Sequence, residues 1–192
     1  MGDRFDTIRT DRLLMRRWRE ADRDPYAAMN ADPVVMRYFP ALQDRAASDV
    51  SVDRMESLFE RQGFGLWVLE LPDTAEFLGF TGLNPMPEGV PGWGGMEVGW
   101  RLAQHAWHHG YATEAAAAAV DVAFNGIGLH EIWSMTAVLN EPSQAVMRRI
   151  GMTPYAHFEH PRIEPGHPIR PHVAFRRQRS GTGEGPATPR SE

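Results

Sequence analysis

Cysteine and long apolar runs are both missing from this sequence of 192 residues. Without cysteine, disulfides, thiolate metal sites and a cysteine nucleophile are all excluded, and the composition agrees with a cytoplasmic chain. No apolar run reaches the roughly 18 residues that a membrane-spanning helix needs. The first residues also lack the apolar core of a signal peptide. We therefore expect no membrane partner.

Positive charge is in deficit. Lys and Arg number 20 against 25 Asp and Glu, which gives a net charge of −5. Nucleic-acid binding therefore has no electrostatic support. A mildly acidic surface favours a cationic partner such as an amine. With 42% hydrophobic residues, the chain is long enough and apolar enough to form one domain with its own core.

Hydrophobic periodicity and turn residues predict the order of secondary structure. The predicted helices cover residues 20–30, 32–39, 48–62, 111–125 and 141–150, and the predicted strands cover 12–18, 64–71, 77–83, 96–102, 131–138, 153–158 and 171–177. Residues 1–10 are expected to be loosely held, and 178–192 to be a disordered tail. This order predicts one α+β domain over residues 9–177, with a mixed, mostly antiparallel sheet of about seven strands and helices on both faces.

The most informative stretch runs from residue 94 to residue 126, where a strand, a short polar connection and an Ala-rich helix follow one another. The first N–H groups of a helix have no internal partner and lie at its positive end. Gly110, just before this helix, lets the backbone approach an anion closely because it has no Cβ. The stretch is therefore a candidate phosphate cradle, and an ordinary helix start is the alternative.

Two motifs carry a resemblance to a known family. The run EVGWRL, a gap and WHHGYATEA resembles the acyl-coenzyme A signature of the GNAT N-acetyltransferase superfamily, most of all its RimJ/RimL branch, which acetylates N-termini of ribosomal proteins. Gly110 and Ala112 fill the last two positions of the pattern Gln/Arg-x-x-Gly-x-Gly/Ala, whereas His108 stands where that branch often has Gly. The run from Asn140 to Met152 resembles the family's Asn-x-x-Ala/Ser-x-x-x-Tyr-x-x-x-Gly-Phe. The resemblance covers about residues 9–177 and implies the GNAT fold.

The resemblance implies acetyl-CoA as the co-substrate, and we expect no metal. By analogy, the strand before the helix has a bulge and a splay near Gly99 that open a slot for the pantetheine arm. The implied coenzyme contacts are Trp100, Arg101 and Leu102 on that strand, Trp107, His108, His109, Gly110, Tyr111, Ala112 and Thr113 at the cradle, and Asn140 and Ser143 on the following helix.

Acyl transfer from a thioester to an amine needs a proton acceptor for the amine and a proton donor for the leaving thiolate. Glu97 is the candidate acceptor, directly or through water, and a strand carboxylate paired with an arginine is the alternative. The family's proton-donating Tyr corresponds to Met147, which has no proton to give. The resemblance therefore makes Ser143 the candidate acid, although Asn140 and Ser143 also suit a plain helix cap.

The acceptor side is less defined. Phe39, Trp67 and Trp93 are candidate walls of an acceptor pocket, with the hydrophobic core, or a surface loop over residues 84–95, as the alternative place. His105, His108 and His109 cluster, but they lack both the HExxH pattern and an acidic partner that would favour a metal site.

Several functional alternatives stay open. The acceptor is a protein N-terminus, a lysine or a small amine such as an antibiotic, and the donor is acetyl-CoA or a longer acyl-CoA such as succinyl-CoA. A non-catalytic acyl-CoA sensor is the rival, because the Tyr is missing at Met147. We expect a monomer or a homodimer.

Overall fold

The computed structural model describes residues 5–179. Eight strands and four α-helices follow one another there: β1 (Thr7–Arg9), β2 (Leu14–Arg16), α1 (Arg23–Ala31), α2 (Arg45–Gln62), β3 (Leu66–Leu71), β4 (Glu76–Pro85), β5 (Met96–Leu102), α3 (Tyr111–Asp121), β6 (Glu131–Ala137), α4 (Glu141–Arg149), β7 (Thr153–Glu159) and β8 (Pro171–Gln178). The strands form one sheet in the order β1-β2-β3-β4-β5-β6-β8-β7. Only β5 and β6 pair in parallel among these neighbours. The predicted α+β class and mixed sheet are confirmed, with one strand more than expected.

Helices cover both faces of the sheet, and side-chain alternation along β5 separates the two layers. Val98 and Leu102 pack in one core with Ala115 and Ala119 of α3, so we call this side the α3 face. The intervening residues of β5 point to the opposite side. There Phe80, the cross-strand neighbour of Arg101, packs with residues of α1 and α2, so we call this side the α1–α2 face.

The sheet opens between β5 and β6. These strands meet at one Cα pair, Glu97 with Trp133, and the ladder does not continue from there towards Leu102. The predicted splay is therefore present. On the other side, β4 and β5 keep an unbroken register of seven pairs, so no bulge interrupts that ladder at Gly99. A Cβ added at Gly99 would have no atom within 4 Å, which means that this residue borders open space.

Local signals explain the helix that follows β6. The Asn140 Oδ1 atom accepts a hydrogen bond from the Ser143 backbone N–H at 3.3 Å, and Pro142 lies in the first turn. Both features favour a helix start at this point. Gly151, with φ of 79°, follows the helix as the expected stop.

Several sequence predictions differ from the structure in their bounds or type. Residues 7–9 are not loosely held, because they form β1 and pair with β2. Residues 32–39 form turns rather than a helix, and the Asp32 carboxylate accepts a hydrogen bond from the Val34 N–H at 2.8 Å, which is a turn contact. Gln178 belongs to β8 rather than to a disordered tail, and the rest of that tail from residue 180 lies outside the described residues.

The helix after the cradle also differs from its predicted length. α3 ends at Asp121, and residues 122–126 continue as a π-helical turn. None of the helices in the described part of the chain combines the length and the hydrophobicity of a membrane-spanning segment.

Candidate active site

A cavity of about 1040 Å³ lies at the gap between β5 and β6 and receives residues from both faces of the sheet. Gly110, Ala112 and Ser143 line it on the side of α3 and α4, and Phe39 and Glu97 line it on the α1–α2 side. Ligand pockets usually measure roughly 300–1,000 Å³. The cavity therefore lies at the upper end of this range and has room for a large ligand.

Backbone donors at the start of α3 face this cavity. Gly110 precedes the helix with φ of 82°, and its carbonyl accepts hydrogen bonds from the N–H groups of Thr113 and Glu114, both at 3.1 Å. The N–H groups of Gly110, Tyr111 and Ala112 donate to no other group in residues 5–179, and all three residues line the cavity. Free amides at the positive end of a helix form a cradle for an anion such as a pyrophosphate.

His108 takes a backbone conformation that is typical of glycine. Its φ is 65°, in the left-handed region that few residues other than glycine adopt. The cradle thus keeps its shape, at a strain of roughly 1–2 kcal/mol. Trp107 anchors the loop by donating from Nε1 to the Leu102 carbonyl at 2.9 Å.

An ion pair that the sequence did not suggest holds the cradle in place. Arg12 donates from Nε to the Glu114 carboxylate at 2.7 Å and from Nη1 to the His109 carbonyl at 2.9 Å. Burial alone would raise the pKa of Glu114, but the hydrogen bonds from Thr10 and Arg12 outweigh it and lower that pKa. The turn between β1 and β2 is thereby tied to the first turn of α3.

Glu97 lies at the start of β5 on the α1–α2 face, partly buried in the cavity wall. Its Oε1 atom accepts one hydrogen bond, from the Asn84 Nδ2 atom at 3.3 Å. Burial disfavours the ionised carboxylate more than Asn84 favours it, which raises the pKa of Glu97 to about 7. Within the described chain no arginine forms an ion pair with Glu97. The alternative role of Glu97, a structural ion pair with an arginine, is therefore wrong.

Ser143 lines the same cavity, near the start of α4. Its backbone N–H, not its hydroxyl, makes the cap contact with Asn140, whose Nδ2 atom in turn donates to Thr136 Oγ1 at 2.9 Å. The Ser143 Oγ atom has no hydrogen-bond partner among residues 5–179. Met147, at the position of the family's tyrosine, is 1% exposed and packs in the core.

The three aromatic residues predicted to line the acceptor pocket lie in three different parts of the structure. Phe39 lines the cavity. Trp67 does not: it is fully buried, packs edge-on against Phe59 at 5.7 Å and donates from Nε1 to the Phe5 carbonyl, so its assignment to the pocket is wrong. The physical reason is that side chains alternate between the two faces along β3, and Trp67 points into the core on the α3 face. Trp93 is 65% exposed in the loop after β4 and lies outside the cavity.

The remaining predicted coenzyme residues lie at the cavity with one exception. Trp100, Arg101, Leu102, Trp107, His108, Thr113 and Asn140 line it, whereas His109 lies outside and stacks on Tyr111 at 5.3 Å. In the described chain no three His, Cys, Asp or Glu side chains come close enough to hold a metal ion. The Nε2 atom of His105 instead lies 3.2 Å from the Glu76 carboxylate.

Several residues that line the cavity were not predicted from the sequence. Arg37 and Tyr38 reach the wall from the turns after α1, and His172 reaches it from β8. The rings of His160 and His172 lie 4.8 Å apart, and burial lowers the pKa of both. No local signal in the sequence marks Arg37, Tyr38 or His172, because only the folded sheet brings them to the gap.

Residues 12–153 match the family model of the acetyltransferase (GNAT) domain. This chain belongs to the GNAT acetyltransferase family. The family transfers acyl groups from acyl-CoA, so the protein is a transferase.

Two relatives and two solved structures illustrate the range of this family. The uncharacterized protein YkkB of Bacillus subtilis is 31% identical over 74% of this chain and 83% of its own. The FsC-acetyl coenzyme A-N(2)-transacetylase of Aspergillus fumigatus is 32% identical over 77% of this chain and 65% of its own. An acetyltransferase from Agrobacterium tumefaciens is 27% identical, with a TM-score of 0.75 over 93% of this chain and 98% of its own. RimL, the ribosomal L7/L12 alpha-N-protein acetyltransferase in complex with coenzyme A, is 14% identical, with a TM-score of 0.73 over 90% of this chain and 97% of its own. At that identity the RimL likeness concerns the fold alone.

Proposed function

We propose that this GNAT domain transfers an acetyl group from acetyl-CoA to a primary amine, by direct attack of the amine within a ternary complex. The observation that carries the proposal is the single cavity that joins the free amides of Gly110, Tyr111 and Ala112 to Glu97 through the gap between β5 and β6. A donor held at the cradle and an acceptor on the opposite face would meet at this gap.

Each step of the transfer has a candidate group on the cavity wall. The cradle amides would hold the pyrophosphate, and the unpaired edge of β5 over residues 100–102 would receive the pantetheine arm. Glu97, with a pKa of about 7, would accept the amine proton directly or through water. The free Ser143 hydroxyl would donate a proton to the leaving sulfur. No protein nucleophile is needed, because a neutral amine attacks a thioester directly.

The chemical class of the amine that accepts the acetyl group has to be determined by experiment. Purified protein should be incubated with acetyl-CoA or succinyl-CoA and a panel of peptides with varied N-termini, lysine side chains, polyamines and aminoglycosides, while free thiol is followed. We expect acetyl-CoA-dependent thiol release with one class of amine. Coenzyme binding without release from any amine would refute the proposed acyl transfer to amines and favour an acyl-CoA sensor.

Ser143→Ala tests the proposed acid. The helix cap should survive, because Asn140 accepts from the backbone N–H of residue 143 rather than from its hydroxyl. We expect kcat to fall by about 10²-fold, the lower end for general acids, because a thiolate leaves readily. Ser143→Thr, which keeps a hydroxyl, is the matched control. Unchanged turnover in Ser143→Ala with intact coenzyme binding would remove Ser143 from the mechanism.

A further inference from the structure

Arg101 projects from β5 into the same cavity, on the α1–α2 face. Its guanidinium carbon lies 4.0 Å from the centre of the Phe39 ring and 5.6 Å from that of Phe80. Its Nη1 atom donates to the Asn30 side-chain oxygen at 2.6 Å. These contacts hold the guanidinium in one place at the cavity wall.

This guanidinium lacks an anionic partner. Of the five N–H groups of an arginine, one finds a hydrogen-bond acceptor in the described chain, and the Nε atom is buried without any. Among residues 5–179 no carboxylate forms an ion pair with Arg101. Burial therefore lowers the pKa of Arg101. A buried cation without a counter-ion is costly, and cations of this kind are normally paired.

Open space separates Arg101 from Glu97. The two residues share one face of β5, with about 13 Å between their Cα atoms at roughly 3.3 Å per residue. Gly99 lies between them, and nothing occupies the position where its Cβ would be. A small molecule above Gly99 would thus have a proton acceptor at one end and an unpaired cation at the other.

The position of Arg101 separates it from the coenzyme phosphates. The cradle amides lie at the N-terminus of α3, which packs on the opposite face of the sheet. The guanidinium instead contacts Asn30 of α1 and the ring of Phe39, on the acceptor side of the gap. Four arginines line the whole cavity, namely Arg37, Arg101, Arg149 and Arg162, against one carboxylate, Glu97. This excess of positive charge suits anionic ligands, and Arg101 is the arginine among the four that contacts Asn30 and Phe39, away from the cradle.

We propose that the acceptor is an amine that also carries a carboxylate, and that Arg101 binds this carboxylate while Glu97 receives the amine proton. The inference rests on the proposed acetyl transfer and adds the chemical class of the acceptor. Arg101 would supply a bidentate, charge-assisted contact from its free N–H groups. Asn30 and Phe39 would keep the guanidinium oriented.

Glycine, diglycine and triglycine, each as the free acid and as the C-terminal amide, form the test series, because the distance from the amine to the carboxylate grows along it. Rates are compared per neutral amine, since a nearby carboxylate raises the amine pKa, most of all in glycine. For one length we expect kcat/KM with acetyl-CoA to favour the acid about 10- to 100-fold over the amide, the range of one charge-assisted contact. Arg101→Gln should bring this ratio close to one, and Arg101→Lys should restore part of it. Arg54→Gln, an exposed arginine on α2, should leave the ratio unchanged.

The outcomes separate this inference from the proposed function. Transfer with equal use of acids and amides, or a preference that survives Arg101→Gln, would overturn the inference and leave acetyl transfer standing. Absence of transfer, together with Arg101-dependent binding of the acids to the coenzyme complex in calorimetry, would overturn the proposed acetyl transfer and support the anion site. If Arg101→Gln altered only the choice between succinyl-CoA and acetyl-CoA, the guanidinium would contact the acyl chain and the proposal would be wrong. Coenzyme affinity and thermal melting of each variant verify that it is folded.

Discussion

Replacing Glu97 by Gln tests the proposed proton acceptor directly. The change keeps the shape of the side chain and its contact with Asn84, but removes the ability to accept a proton. With a pKa of about 7, the carboxyl group is half ionised near neutral pH. Wild-type kcat/KM should therefore rise about tenfold per pH unit below 7 and level off above it, because only the carboxylate accepts a proton.

The expected loss in Glu97→Gln is about 10²- to 10⁴-fold in kcat at pH 8, the range for a general base. The same pKa also predicts an effect on stability. The folded-state pKa of about 7 exceeds the ordinary value of 4.5, so the unfolded chain loses its proton first as the pH rises. Stability is then lost between these two values, by up to about 3 kcal/mol and by less where cavity water screens the charge. Glu97→Gln should not show this loss.

The assay should use an acceptor whose own amine is fully neutral above pH 6, so that the protein alone sets the pH profile. Thiol release is measured from pH 5.5 to 9 for wild type, Glu97→Gln and Glu88→Gln, the last being the same change at an exposed residue of the loop after β4. If Glu97→Gln kept the rising limb with its midpoint near pH 7, another group would be the acceptor. If it kept full activity, the amine would need no protein base.

Three further substitutions test other parts of the structure. Gly110→Val places a β-branched residue at φ of 82° and should weaken coenzyme binding about 10-fold in calorimetry, whereas unchanged affinity would count against the cradle. Gly99→Val fills the open space on β5 and should raise the acceptor KM while the coenzyme affinity stays similar; equal kinetics would place the acceptor elsewhere. Arg16→Met leaves Asp22 and Glu70 as buried charges without their shared partner, so the free energy of unfolding should fall by about 3–5 kcal/mol in chemical denaturation. A loss below about 1 kcal/mol would mean that water replaces the arginine.

The part of the chain around the cradle was predictable from sequence because its signals are local. Strand β5 lies at its predicted bounds, and α3 begins at the predicted residue after Gly110. Asn140 and Pro142 likewise predicted the start of α4 within one residue. At both helix starts the deciding contact joins residues fewer than five positions apart, and such contacts can be read from a single sequence. The assignment to the RimJ/RimL branch remains a prediction, since structures of many kinds of GNAT protein align with this fold.

The acceptor side was not predictable for the opposite reason. The partner of Arg101 is Asn30, 71 residues earlier, and His172 reaches the cavity from β8. Trp67 and Arg101 both stand on strands, and alternation alone does not tell which face of a strand meets the cavity. The family resemblance implied only a coenzyme contact for Arg101, whereas its side chain lies on the α1–α2 face. Which face a strand residue points to, and which residue it pairs with, depends on how the whole sheet assembles.

The pKa of Glu97 also restricts which amines this site can use well. Moving a proton from a peptide α-amine, with a pKa near 7.7–8.0, to a carboxylate with a pKa of about 7 is uphill by roughly 1 kcal/mol. The same transfer from a lysine side chain, with a pKa near 10.4, is uphill by roughly 4.6 kcal/mol, or about 2,500-fold. We therefore expect peptide α-amines to be acetylated far faster than lysine side chains of the same peptide length. Competition between the two amines within one lysine-containing peptide, located by mass spectrometry, measures the ratio. Equal acetylation of both would mean that contacts in the acceptor pocket offset the higher pKa of lysine, and that amine basicity does not set the choice of acceptor.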